Sequence, residues 1–453
     1  MNMCSQSRGG RHGERGVTMV LVAIAMVAII AMAALSIDVV TLYLAREEAQ
    51  RSADTAALGA ARVLSLSGVT GDPQNTTGYW SAACTAAAQV AQALANQNAV
   101  SNATATSVNV NFLYNGTDMA NCTFTGANAF GVNPQVKVQV IRAGLPTFFS
   151  RIWSRNTNSV SATATAEAFN SQGSGTFAPN GIVPVNPRCV KPWIIPNKDP
   201  GNPPNTFVNL NDGSITNPGI QVNGAGTGVI GEKFAILADC QTGNPNCRHG
   251  GGNGLIDNPP SYNKQGPGLT LDYVPALIVV PGAVAVPGCA TGSDYQEAIA
   301  GCDQSTVYAC GIIGGGAQAD LTFNPGKGNG DTATATQCLI QQDAGQDVLD
   351  TTVFPFRIQA GAGNPVVTNA PITSSNSIVT VPIYDDTQGP FTADQPPVTI
   401  VGFLQVFINS VNTTNGRIHV TVLNVAGCSN TATTSTPTVS GTSPVPVRLI
   451  TSQ

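Results

Sequence analysis

The sequence predicts an α+β protein. One long N-terminal helix crosses a membrane and continues into a first α+β domain, and a β-rich, disulfide-containing domain follows. Three observations predict this. Residues 16–37 form an uncharged apolar run bounded by Arg15 and Asp38. A stripe of alanines at helical spacing follows, with no proline before Pro73. Beyond about residue 100, short β-branched segments alternate with Gly, Pro and Asn turns, and ten of the eleven cysteines lie beyond the apolar run.

Composition sets the class. Only 10% of the 453 residues are charged, against roughly 25% in an average soluble protein. Gly (48) and Pro (30), with amides and hydroxyls, take up the difference, as in exported proteins. A net charge of −5, with Lys137 the first lysine and no basic cluster after it, excludes an electrostatic nucleic-acid binder.

The apolar run comes first. At about 1.5 Å per residue, its twenty-two residues span roughly 33 Å, enough for a hydrocarbon core of about 30 Å. Arg8, Arg11 and Arg15 precede it and Arg46 and Arg51 follow, which favours a cytoplasmic N-terminus. A cleavable secretory signal ending at Ala31-Met32-Ala33 is the competing reading. It is disfavoured because Leu35, Ile37, Val39 and Val40 continue the apolar character. A prepilin-type cut is disfavoured too: the fifth position after Gly16 is Leu21, where a glutamate is wanted.

The helix should then continue, unbroken, over about 18–64. Leu42, Ala45, Ala49, Ala53, Ala56, Ala60 and Leu64 recur every three or four residues as one narrow face. Small residues there admit another backbone closely. Glu47 and Arg51 form an i,i+4 pair on the opposite, solvent side. Glycine first offers an exit at Gly59 or, better, Gly68.

This stretch, GVTMVLVAIAMVAIIAMAALSIDVVTLYLAREEAQRSADTAALGAARVL, resembles the N-terminal signature of TadE/TadG-like Flp (tight-adherence) pilus-assembly proteins. The matching residues are Asp38 at the outer end of the apolar helix, then Tyr43 and Arg46, then Gln50, Ala53, Asp54, Ala56 and Ala57. A looser echo is PTFFSRIWSRNTNSVSATATAEA over 146–168, where similar proteins place a Phe-Phe turn before a small-residue strand. The resemblance implies a pilin-like α+β domain over 41–170. It further implies assembly or docking roles for Asp38, Tyr43, Arg46, Gln50, Ala53, Asp54 and Ala57, with pilus or pseudopilin subunits and the assembly machinery as partners. The Asp-x-Ser-x-Ser motif of a von Willebrand-type metal-binding domain, carried by some longer members, is absent.

The remaining elements follow in order. Residues 79–96 read as an Ala-rich helix, and 105–112, 135–142 and 159–169 as strands. Cys84 and Cys122, the two cysteines between the membrane segment and the linker, are expected to pair. Residues 171–180 are a Gly/Ser-rich linker. In the domain at 181–453, strands are expected at 269–277, 278–286, 377–384, 398–408 and 417–425. The last two should form a hairpin about Asn415-Gly416, with Ile418, Val420 and Val422 inward and Arg417, His419 and Thr421 outward. Short helices should start at Ser293, with Gln296 completing a capping box, and near Thr336. Pro382, Pro396 and Pro397 suggest edge strands. The eight cysteines of this domain allow 105 pairings.

Catalytic chemistry finds little support. The His249-Gly250-Gly251-Gly252 stretch lacks a G-x-S-x-G partner, and Gly326-Lys327-Gly328 fails as a phosphate loop. Asp385 and Asp386, adjacent on a strand, point to opposite faces. Cys240, Cys247 and His249 do not match common zinc spacing, and Asp320 and Asp331 offer at best weak calcium ligation. Asp38 is either an interfacial solvated carboxylate or a docking group. The expectation is thus a non-enzymatic, cofactor-free, single-pass membrane protein of pilus assembly, with residues 1–16 cytoplasmic, 17–40 in the membrane and the rest exported. A surface adhesin using the same anchor and a secreted hydrolase are the alternatives.

Overall fold

A computed structural model describes residues 14–72, 78–114, 117–119, 122, 133–149, 157–170, 185–238, 262–263, 270–278, 284–285, 289, 292–302, 306–311, 320–323, 329–387, 397–428, 439–441 and 443–450. The fold is α+β. Helix α1 runs from Glu14 to Ser67 and helix α2 from Tyr79 to Gln97. Strands β1 (Ser107–Tyr114), β2 (Thr117–Met119), β3 (Gln135–Leu145) and β4 (Asn158–Ala168) follow. Then come β5 (Val185–Pro187), β6 (Trp193–Pro196), β7 (Lys233–Ala238), β8 (Tyr262–Asn263), β9 (Thr270–Leu277) and β10 (Val284–Ala285). Helix α3 (Asp294–Ala300), β11 (Gly301–Cys302), β12 (Thr322–Phe323) and helix α4 (Asn329–Leu339) come next. The chain ends with β13 (Val348–Asp350), β14 (Arg357–Gln359), β15 (Pro371–Ile372), β16 (Ile378–Tyr384), β17 (Ile400–Val411), β18 (Ile418–Gly427), β19 (Val439–Gly441) and β20 (Val447–Ile450).

Two compact units emerge. One comprises Met1–Ala56, Gln92–Asn109 and Val138–Ala164, the other Ala57–Ala91, Val110–Lys137 and Thr165–Gln453. The cuts fall within α1, α2, β1, β3 and β4, so these elements pass from one unit into the other. The expected linker, 171–180, lies outside the described residues.

Helix α1 is unbroken through Asp38, Arg46 and Gly59. It stops where Gly68 takes φ 74°, a left-handed conformation in which a Cβ would collide with Ile230 and the Leu423 carbonyl. Its side chains change regime along its length. From Val17 to Val40 the large apolar side chains stand exposed, Met19 at 78%, as lipid-facing residues should. Ala34, Asp38, Ala45 and Ala49 then form a narrow buried line. From Ser52 the buried face is wider than the single alanine row expected. Ser52/Ala53, Ala56/Ala57, Ala60/Ala61 and Leu64/Ser65 are all buried, two neighbours per turn. Helix α2 has Trp80, Ala83, Cys84, Ala87, Ala91 and Ala95 buried at helical spacing.

A five-stranded sheet has the order β2-β1-β3-β4-β20. Its last member comes from the end of the chain: Val447–Ile450 pairs antiparallel with Thr165–Ala168. Buried Glu167 there meets Arg448 at 2.5 Å, and the guanidinium lies 4.3 Å from the Phe169 ring centroid. Cys84 and Cys122 are joined by a disulfide with Cα atoms 5.5 Å apart.

The larger sheet runs β12-β9-β6-β16-β17-β18-β7, and β7 also pairs with β9. Strands β9, β6, β16, β17, β18 and β7 therefore close into a ring, with parallel pairings at β6–β16 and β7–β9. The β17–β18 hairpin turns at Gly416, φ 70°. Two expectations about these strands are corrected. First, the outward face of β18 meets solvent only at its start: Arg417 and His419 are half-buried as the alternation predicts, whereas Thr421 and Asn424 are as buried as Val420 and Val422. The three-stranded sheet β13-β14-β15 supplies Ile358, packed with Phe407 and Leu423. The end of α1 meets the strand at Asn424, whose Nδ2 donates to the Ser65 carbonyl at 2.6 Å. His419 is half-buried, and burial first, then the Arg417 charge, lowers its pKa. Second, Pro382 sits in an interior strand. Thr380 O and Tyr384 O both accept from the β6 side, so the N–H that Pro382 lacks would point there too. It falls between the Val190–Thr380 bridge and the Ile383–Ile195 register, where its absence is tolerated.

Helix α3 starts at Ser293, whose side chain accepts from Gln296 N. The Gln296 carboxamide reaches back to Gly292 N rather than to the cap residue's own amide. Disulfides Cys189–Cys302, Cys289–Cys338 and Cys310–Cys428 fasten the loops and short helices to the ring.

Candidate assembly site

The residues singled out on α1 divide into two groups, and the helix decides which. Asp38 follows Ala31 and Ala34 on the side that becomes the buried line, and it is 4% exposed. Its carboxylate is spread over two backbone amides: Oδ1 accepts from Phe148 N at 2.9 Å and Oδ2 from Phe149 N at 3.0 Å. These amides belong to the Phe-Phe turn singled out in the sequence, which follows β3. An ionised carboxylate accepting two N–H groups is a strong pairing, so Asp38 is not the solvated interfacial residue that the sequence allowed. Its first task lies within its own fold.

Three turns further along, Gln50 Nε2 donates to Asp54 Oδ1 at 2.8 Å, an i,i+4 contact, and to the Thr163 carbonyl of β4 at 3.3 Å. Asp54 thereby orients the carboxamide that holds the helix to the strand. Ala53, Ala56 and Ala57 are fully buried. The close approach that small residues permit is visible at Ser52, whose hydroxyl donates to the Ala95 carbonyl of α2 at 3.3 Å. Glu48 accepts from Ser101 N at 2.6 Å, at a turn where Ser101 and Asn102 both have positive φ. Sequence reasoning missed Glu48 and Ser52. Ser52 could have been read from its position beside Ala53 on the stripe, whereas nothing in the sequence marks Glu48.

Tyr43 and Arg46 form the other group. Tyr43 is 62% exposed, and Leu44, Arg46 and Glu47 beside it are exposed too. This face begins directly beyond the apolar segment, where Val39 and Val40 are also exposed. The structure thus brings Asp38, Gln50, Asp54 and the alanines into intramolecular contacts and leaves Tyr43 and Arg46 on the outside.

Both Asp38 oxygens are thus committed to backbone amides. Among the described residues, no group of three or more His, Cys, Asp or Glu side chains could hold a metal ion. Cys240, Cys247 and His249 lie outside the described residues. Asp385 accepts from Thr387 N at 3.0 Å and from its hydroxyl at 2.6 Å, while Asp386 pairs with Lys198 at 3.4 Å. The two carboxylates thus have separate partners.

Neither comparison with curated proteins nor comparison with solved structures gives a match. One family model does match, over the apolar helix and the alanine stripe. Residues 16–63 of this chain match the model of the family described as "Putative Flp pilus-assembly TadE/G-like".

Proposed function

We propose that this protein is a non-enzymatic, single-pass membrane component of Flp pilus assembly. In this reading residues 1–16 are cytoplasmic, 17–40 cross the membrane, and the remainder is exported and works at the cell envelope. The family match supports the process, and the exposed apolar surface of residues 17–40 supports the anchor. One observation carries the reading further. The family segment uses Asp38, Gln50 and Asp54 to hold its own fold, yet leaves Tyr43 and Arg46 outward just beyond the membrane segment. An aromatic ring and a guanidinium on one exposed helical face suit a neighbouring subunit at the membrane surface.

The test replaces Tyr43 and Arg46 together by alanine in a cell that assembles Flp pili. The expected result is normal protein level and membrane insertion with loss of pili and of co-purifying assembly subunits. Normal piliation in the double variant would overturn the proposal.

A further inference from the structure

The larger unit buries two carboxylates against each other in a place that the pilus reading does not use. Asp199, fully buried, lies in the turn after β6. Its Oδ1 accepts from Gly201 N at 3.0 Å and Asn202 N at 3.2 Å, and its Oδ2 receives a long 3.4 Å contact from Asn217 Nδ2. Glu232, just before β7, is 4% exposed; no hydrogen bond of good geometry reaches its carboxyl oxygens, and the polar groups beside it are the Asp199 carboxyl and the Gly201 amide. Gly201 makes room for it: a Cβ there would stand 2.5 Å from Glu232 Oε1. Burial, and then the Asp199 charge beside it, push the Glu232 carboxyl up to about 9. The adjacent Lys198 is directed to Asp386 instead. Two buried carboxyls in contact need either a proton or a cation between them, since leaving both ionised and uncompensated costs several kcal/mol.

We propose that Asp199 and Glu232 form a binding site for a hard divalent cation, calcium by its donor set. The donors are all oxygen: two carboxylates and the Asn217 amide, with no histidine or thiol among the residues named. The Asn217 amide can present either its nitrogen or its oxygen to Asp199. In the cation-bound form it turns the oxygen inward. Loop-borne ligands of this kind suit the larger and more adaptable shell of calcium over the strict octahedron of magnesium. Binding removes the proton that the pair otherwise shares, so each cation bound releases about one proton. This inference is independent of any role in pilus assembly.

The test is calorimetric titration of the full-length chain, in detergent and freed of metal by chelator, with calcium chloride at pH 7.5 and 8.5. Expected are one site per chain and an affinity that rises about tenfold per pH unit while the displaced proton belongs to a group titrating near 9. Glu232→Gln, nearly isosteric, should weaken binding at least tenfold with secondary structure unchanged. Asn217→Asp should strengthen it. The absence of any calcium or magnesium binding up to about 10 mM, well above the weak extracellular range, would overturn the proposal and leave a proton-sharing pair only. So would binding that ignores both substitutions.

Discussion

Replacing Asp38 tests the geometry of α1 most informatively, because one side chain holds two amides of another segment. Asp38→Ala removes both acceptors of Phe148 N and Phe149 N. Hydrogen bonds to a charged group contribute about 1.5–3 kcal/mol each, so two give an upper bound of about 3–6 kcal/mol. The turn is only partly buried, with Phe148 57% exposed, and water can reach the released amides. That discount brings the expected loss to about 2–4 kcal/mol for Asp38→Ala. Asp38→Asn keeps one acceptor oxygen and should lose about half as much. The assay is denaturant unfolding of the full-length protein in micelles, together with hydrogen exchange of the 146–149 segment. Both amides should exchange faster in either variant, and more so in the alanine one. Unchanged exchange at Phe148 and Phe149, with a stability change below about 0.5 kcal/mol, would refute the assignment.

Three further outcomes are expected. Ala53→Leu should overpack the fully buried stripe and cost about 1–3 kcal/mol in the same unfolding assay, whereas Glu47→Gln on the exposed side should change stability by less than about 0.5 kcal/mol. Replacing Cys84 and Cys122 by serine should cost about 3–4 kcal/mol, because their 38-residue separation closes a long loop in the unfolded chain. In chelator, stability measured across pH should report Glu232. Its carboxyl titrates near 9 when folded, against 4.5 as the ordinary value, so the folded state binds the extra proton and stability falls as pH rises from 4.5 to 9. Buried Lys191, whose pKa burial lowers to about 7, acts in the opposite direction above pH 7. The difference between wild type and Glu232→Gln isolates the carboxyl, and an identical pH profile in the two would contradict the assignment.

Local signals in the sequence were legible where one segment suffices to state them. The unbroken helix, its end at Gly68, the Asn415-Gly416 hairpin and the Ser293 cap each follow from spacing or from a backbone conformation that few residues accept. What the sequence does not display is which distant segment meets which. Strand β6 has four residues and β7 six, too short for an alternation to stand out, and their parallel partners are set by tertiary pairing. The ring they close was therefore not foreseen. For the same reason β18 was read with a solvated face: nothing local says that β13–β15 and the end of α1 cover Thr421 and Asn424. At the candidate site the family residues could be named from the sequence, but not sorted. Asp38 could be seen as a carboxylate out of place near a membrane. That it faces the Phe148 and Phe149 amides, 110 and 111 residues away, is known only from the fold.

The central claim is that one continuous helix both enters the membrane and forms the spine of the first unit. The most direct measurement is a spin-label distance in lipid nanodiscs, with labels introduced as non-natural residues at the exposed positions Val22 and Glu47. An unbroken helix separates these positions by about 37 Å at 1.5 Å per residue, and a narrow distribution there is the predicted result. A shorter, broad distribution would place a break between the membrane segment and the stripe, and the loss of the Val22 label from the mature protein would mean that the segment is removed; either result would contradict the claim.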